Sequence, residues 1–137
     1  MRFMLLMIPK GYETAEPGTL PEGDRVAEMM KFNEDLLTSG ALISCEGLHP
    51  VSMGARVSFA TGKPVVTDGP FVETHEVLGG YWLIDVPSKA DAIAWAKRCP
   101  GSPEETIEIR QVMEMADFPE ETQKAAEGFV EMQTRKA

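Results

Sequence analysis

The side chains best suited to move protons in this chain are Asp68, His49 and His75. Asp68 stands in Val65-Val66-Thr67-Asp68-Gly69-Pro70-Phe71, where a β-branched run meets an Asp-Gly-Pro corner. One reading makes it a carboxylate at a strand end, facing a cleft as a general base or an orienting partner. A second reading makes it a turn residue whose side chain bonds a backbone amide two residues on. The two are compatible, because a turn that fixes Asp68 also preorganises it. His49 precedes Pro50. Proline holds the preceding residue extended, so the imidazole leaves the strand end in a fixed direction. Imidazole titrates near neutrality, which suits proton transfer. His75 lies among Glu73, Thr74 and Glu76, either as a proton donor and anion contact or as an exposed loop residue.

Glu73 and Glu76 would form the rim of such a cleft, and Arg56 and Tyr81 complete the candidate ligand contacts. Arg56 and Arg110 are strand cations able to meet the acidic loop or a ligand carboxylate. His75 with its glutamates supplies too few ligands for a metal site. No CxxC motif is present, and Cys with His never reaches zinc-site spacing. Cys45 reads as packing, and Cys99, before Pro100, as an exposed thiol with no base assigned. Gly79-Gly80 is not followed by a helix, so it reads as close backbone approach or a bulge rather than a phosphate cradle. No cofactor is expected.

The elements that position these groups follow from periodicity. Phe3 to Ile8 is a continuous apolar run, as in a strand covered on both faces. Glu22 to Ser39 reads as a helix, with Thr19 and Glu22 as a capping box and Gly40 as the stop. Its apolar face is Val26, Met29, Met30, Leu36 and Leu37, with Asn33 the polar exception. Ala41 to Leu48 is a second strand. Arg56–Ala60 and Lys63–Thr67 flank Thr61-Gly62 as a hairpin, in which Gly69 beyond the second run needs backbone freedom. Leu78 to Val86 is a strand that sends Tyr81 and Trp82 to opposite faces. Ser88 caps a helix to Arg98, with Ala90, Ile93, Ala94 and Lys97 at helical spacing. Thr106 to Met115 alternates as a strand, with Gln111 interrupting its apolar side. A last helix follows Asp117-Phe118-Pro119-Glu120 and runs to about Arg135. The order reduces to βαββαβ with an inserted β-hairpin and a C-terminal helix, the ferredoxin-like α+β arrangement.

Several stretches together resemble the YCII-related family, DGPF-domain subgroup. They are Met4-Leu5-Leu6, Glu46-Gly47-Leu48, Asp68-Gly69-Pro70-Phe71, Gly79-Gly80-Tyr81-Trp82-Leu83-Ile84 and Val112-Met113-Glu114. The resemblance covers residues 1–115 as one domain and leaves 116–137 as a helical extension. It implies a dimeric α+β barrel, in which two sheets pack face to face in a homodimer. The two-sided apolarity of the first strand agrees. The wider superfamily is thought to use a His–Asp pair whose histidine lies near the first helix. Residues 22–39 contain no histidine, so His49 with Asp68 would be a replacement pair. Related sequences commonly carry a lysine where this chain has His75.

Composition narrows the partners. The chain has 137 residues, with 13 Lys+Arg against 22 Asp+Glu, for a formal charge of −9. That balance supplies little material for a nucleic-acid surface or an anionic membrane. The N-terminal run is too short for a spanning helix or a signal-peptide core, which leads to a cytoplasmic expectation with reduced thiols. Two functions follow from the resemblance. One is a cofactor-free acid–base enzyme of the isomerase or lyase type, since related dimeric folds include lactone isomerases and dehydrochlorinases. The other is a non-catalytic regulatory partner of an extracytoplasmic-function sigma factor.

Overall fold

Alternation in the first strand organises the core. In β1 (Arg2–Pro9), Phe3, Leu5 and Met7 are buried, whereas Met4, Leu6 and Ile8 stay partly open. Within one chain, then, the continuous apolar run covers one face and leaves the other uncovered. The computed structural model describes residues 1–71, 76–129 and 132.

The remaining elements are α1 (Gly23–Thr38), β2 (Leu42–Gly47), β3 (Ala55–Ser58), β4 (Val65–Asp68), β5 (Gly80–Asp85), α2 (Lys89–Arg98), β6 (Glu105–Gln111) and α3 (Glu120–Ala125). Strands β2, β5, β1 and β6 form one sheet in that order, and β3 with β4 forms a separate two-stranded ribbon. All pairings are antiparallel. This is the expected ferredoxin-like α+β order with an inserted hairpin. The single chain is an open sheet and closes no barrel.

Register sorts the two faces. Phe3 pairs with Ile84 and Leu5 with Trp82, and these four belong to one buried cluster with Phe32 and Leu36 of α1 and Ala92 of α2. Fully burying side chains such as Phe3, Leu5 and Ile84 stabilises by about 1.5–3 kcal/mol each. Phe32 meets the Trp82 ring edge-on at 5.5 Å, a geometry worth about 0.5–1.5 kcal/mol beyond burial. The other face carries Met4 opposite Leu83 and Leu6 opposite Tyr81. Nothing from that face enters the buried cluster. Tyr81 and Trp82 therefore do take opposite faces.

Both helices are rotated relative to the expected stripes. On α1 the buried residues are Phe32 and Leu36, while Val26, Met30 and Leu37 are exposed. Asn33 remains inside that border for a reason: its Oδ1 accepts from Trp82 Nε1 at 2.7 Å. The capping box does not form. Thr19 Oγ1 donates to Glu16 O at 2.6 Å instead, and Glu22 caps α1 without a side-chain bond. Gly40, at φ 83°, does provide the left-handed stop. On α2, Ser88 Oγ accepts from Asp91 N at 3.2 Å as expected. Ala92 is buried there, whereas Ala90, Ala94 and Lys97 face solvent.

Strand β6 ends at Gln111 rather than Met115, and Met113 is exposed. Arg110 leans on Glu108 of its own strand at 3.4 Å. Met115–Asp117 forms a single 3-10 turn closed by Glu114 and Asp117. The last helix breaks after Ala125 at a turn that includes Gly128; Phe129 and Met132 are again helical, and residues 130, 131 and 133–137 of the expected span lie outside the described ones. No helix among the described residues is long and apolar enough to cross a membrane.

Candidate functional site

The site is built where two one-turn 3-10 segments, Tyr12–Thr14 and Val51–Met53, pack against each other beside the end of β2. Three bonds tie them together. Tyr12 Oη donates to Leu48 O at 2.6 Å, Ser52 Oγ donates to Ala15 O at 3.0 Å, and Gly18 N donates to Met53 Sδ at 3.1 Å. Pro50 is fully buried beneath them. His49, one residue earlier, is exposed.

The Asp-Gly-Pro corner is pressed onto the second of these turns. A Cβ on Gly69 would lie 1.7 Å from Val51 O and 2.7 Å from Val51 C. Gly69 N donates to Gly54 O at 2.9 Å, and the Gly69–Pro70 peptide is cis. Gly69 does not take a positive φ. Its requirement is therefore close backbone approach, not the conformational freedom expected from sequence. Asp68 ends β4 opposite Ala55. Its side chain is exposed and makes no hydrogen bond to any described residue. The turn reading required an amide two residues on, but that residue is Pro70, which has no N–H. The chemistry of the corner thus removes the acceptor role that the turn reading assigned to Asp68.

Other candidates arrange around this corner. The Arg56 guanidinium sits 3.9 Å over the Phe71 ring, so it bridges the ribbon to the residue after the corner. Gly79 and Gly80 open β5 by close approach, as expected. A Cβ would meet Pro9 Cγ at 2.8 Å in the first case and Glu46 O at 2.8 Å in the second. Leu48 N donates to Gly79 O at 2.9 Å, which holds the start of β5 against the segment leading to His49. Tyr81 follows on the uncovered face, paired with Glu46 and Leu6. Glu76 is exposed and precedes buried Val77. Glu73, Thr74 and His75 lie outside the described residues.

His49 and Asp68 are thus brought to one loop cluster, through Val51, but no hydrogen bond joins them. Sequence reasoning missed Glu13 and Phe71 in the same cluster. Glu13 Oε2 is buried without a hydrogen-bond partner among the described residues, a feature that calls for a donor from elsewhere. Its only sequence signal is position, between Gly11 and the Gly18 turn. Burial raises the Tyr12 hydroxyl pKa above its ordinary value, so the phenol stays a donor to Leu48 O at neutral pH. Among the described residues no three of His, Cys, Asp and Glu gather to hold a metal.

A depression of about 400 Å³ opens between α2 and β6, lined by Met7, Ala96, Cys99, Ser102, Glu105 and Ile107 among others. None of the candidate residues reaches it. Cys99 is half-buried there rather than exposed, and burial pushes its thiol up to about 11, with Glu105 adding to the shift. Cys45 is raised also, mainly by burial and then by Glu46. Neither thiol is an activated nucleophile.

The model of the YCII-related domain matches residues 1–116. The chain belongs to the YCII-related family. An uncharacterized protein of Rhizobium meliloti is similar to it, with 32% identity over 77 residues. That match covers 56% of this chain and 62% of the relative. The helix α1 contains no histidine.

Proposed function

We propose that this YCII-related protein binds a small carboxylic acid at the Asp68 corner and acts on it by acid–base chemistry of the isomerase or lyase type. In this reading Asp68 accepts or orients a proton, and His49 donates one across the cluster. Arg56 lies on the other face of the ribbon from Asp68 and would reach the ligand carboxylate around the strand end. Its guanidinium stacks on Phe71 through its face, and no described residue bonds its N–H edges. The observation that carries the reading is Asp68 itself. A carboxylate whose backbone is held by the Gly69–Val51 contact makes no hydrogen bond to the described protein. Exposed and without a bond to a described residue, the Asp68 carboxylate is open to a ligand.

The same reading includes a homodimer. The uncovered apolar face of Met4, Leu6, Tyr81 and Leu83 is the surface that a second copy would cover. The DGPF-subgroup resemblance supports this arrangement. The test is a titration of ¹⁵N-labelled protein with a panel of small carboxylic acids. Amide shifts should concentrate at Tyr12–Ala15, Val51–Gly54, Asp68, Gly69 and Phe71. Shifts confined to the α2–β6 depression would overturn the site. A panel that produces none would turn the work to the alternative, a regulatory role, and to co-purification with a sigma factor.

A further inference from the structure

Along β6 the chain leaves part of its own apolar interior open. Register puts Ile107 opposite Met7 and Ile109 opposite Leu5, so both isoleucines share the face that carries the core. Met7 and Leu5 are buried, whereas Ile107 and Ile109 are only partly so. Two features cause this. The sheet ends at β6, so no further strand flanks these side chains. The helix above them is short and thin: α2 turns Ala92 and Ala96, one turn apart, towards the core. Such small side chains leave the depression of about 400 Å³ between α2 and β6.

Its floor and walls are apolar, from Met7, Ile93, Ala96, Ile107 and Ile109. Its rim is polar, and the groups there are unequally engaged. Glu105, the one acid of the lining, is already paired: its Oε1 accepts from Arg25 Nη2 and, at 2.9 Å, from Ser102 N. The Cys99 thiol, pushed up to about 11 by burial, stays protonated at neutral pH and adds no charge. Two donors are left open. Lys97 borders the depression and forms no ion pair with a described residue, while its neighbour Arg98 is engaged by Asp35 at 3.2 Å. Ser102 Oγ accepts from Glu104 N at 3.3 Å, but its hydroxyl hydrogen reaches no described acceptor.

We infer that the α2–β6 depression is a binding site of its own for an apolar carboxylate, a small ring system or a short acyl chain, with the carboxylate at Lys97 and Ser102 and the apolar body against Ile93, Ile107 and Ile109. Small-ligand cavities of this size are mostly apolar with a few placed polar groups, which is the lining found here. The body of the ligand takes out of water the isoleucine surface that α2 leaves open. The ammonium and the hydroxyl then select for sign, because a neutral isostere keeps the apolar contact and loses the charge-assisted bond. None of His49, Asp68 and Arg56 lines the depression. The site is therefore separate from the Asp68 corner and stands or falls without it.

The test uses naphthylacetate as probe, with neutral naphthylacetamide and cationic naphthylethylamine as matched controls, each titrated into the ¹⁵N-labelled full chain. An apolar acid of this size should bind with a dissociation constant on the order of a millimolar. Amide shifts should concentrate at Ile93–Cys99 and Gly101–Ile109. Naphthylacetamide should bind about three- to fivefold more weakly, and the amine more weakly still. Lys97→Gln should abolish the preference for the acid over its amide. Lys89→Gln, on the same helix but outside the lining, should keep it. Both lysines are exposed, so neither change should disturb the fold. Asp68→Asn should leave these shifts and affinities as they are. No shifts at these amides with millimolar probe would overturn the inference. Shifts found only around Asp68, and lost in Asp68→Asn, would give the acid to the corner and overturn it too. Equal affinity for acid and amide, or tighter binding of the amine, would show an apolar groove without an anion site. Equal loss in Lys97→Gln and Lys89→Gln would show an effect of net charge alone, which also overturns it.

Discussion

Replacing Gly69 by alanine is the sharpest test of the corner that holds Asp68. The added Cβ would stand 1.7 Å from Val51 O and 3.3 Å from Ser52 Cα. An ordinary carbon–oxygen contact is about 3.3 Å, so the corner must open by roughly 1.5 Å, and dense packing does not absorb that. Val51 O cannot simply move aside, because it accepts Gly54 N at 3.0 Å, and Gly69 N is bound to Gly54 O at 2.9 Å. Overpacking of about 1–3 kcal/mol plus one or two lost hydrogen bonds at about 1 kcal/mol each totals about 2–5 kcal/mol. Gly54→Ala is the matched control. Its Cβ meets the same Val51 O at 3.6 Å, ordinary contact, with Gly54 extended at φ −118°. It should be neutral or stabilise by a few tenths of a kcal/mol. Urea titration followed by circular dichroism reads both. With an m-value of about 2 kcal/mol/M, Gly69→Ala should lower the midpoint by about 1–2.5 M while Gly54→Ala leaves it in place. Equal midpoints for the two variants would refute the close approach.

Three further outcomes follow from individual contacts. Asn33→Leu should cost about 1–3 kcal/mol in a thermal melt, because it leaves the buried Trp82 indole N–H without its acceptor; a stabilised variant would contradict the assigned bond. Glu114 is held below its ordinary value of 4.5, chiefly by its hydrogen bond from Arg2. A depressed carboxylate contributes stability above its unfolded value and loses it as pH falls through the folded one. The urea-midpoint difference between wild type and Glu114→Gln should therefore shrink below about pH 4.5, and a difference that grows there would reverse the sign. Cys99, pushed up to about 11 by burial, should react with iodoacetamide at neutral pH far more slowly than a free thiol; rapid labelling of folded protein would exclude this burial.

The topology was legible in the sequence because strand alternation, Gly40, Ser88 and the Thr61-Gly62 turn are local signals that the tertiary structure does not override. The helix faces were less legible. Val26, Met29, Met30, Leu36 and Leu37 formed a plausible stripe, but the aromatic partners Trp82 and Trp95 turn Phe32 inward, and that choice depends on strands far away in the chain. Thr19 found a nearer acceptor in Glu16 than the helix end offered. Asp68 was found for its charge and position. Its lack of an amide partner was also readable, since Pro70 follows two residues on. The contact that fixes it, Gly69 on Val51, was not readable, because residues so distant in sequence meet only when two loops fold together. Glu13 was invisible for the same reason. Glu73 and His75 fall outside the described residues, so the acidic rim rests on Glu76 alone.

Whether Asp68 serves a ligand is tested most directly by Asp68→Asn. Asparagine keeps the size but removes the charge and the base. The decisive measurement is calorimetric titration of wild type and Asp68→Asn, across pH 5 to 8, with one carboxylic acid found in the amide-shift panel. Losing a charge-assisted hydrogen bond of about 1.5–3 kcal/mol should weaken binding about 10- to 100-fold while the urea midpoint stays at the wild-type value. Equal affinity in the two proteins at every pH would contradict the account and leave Asp68 as a solvent-facing strand end.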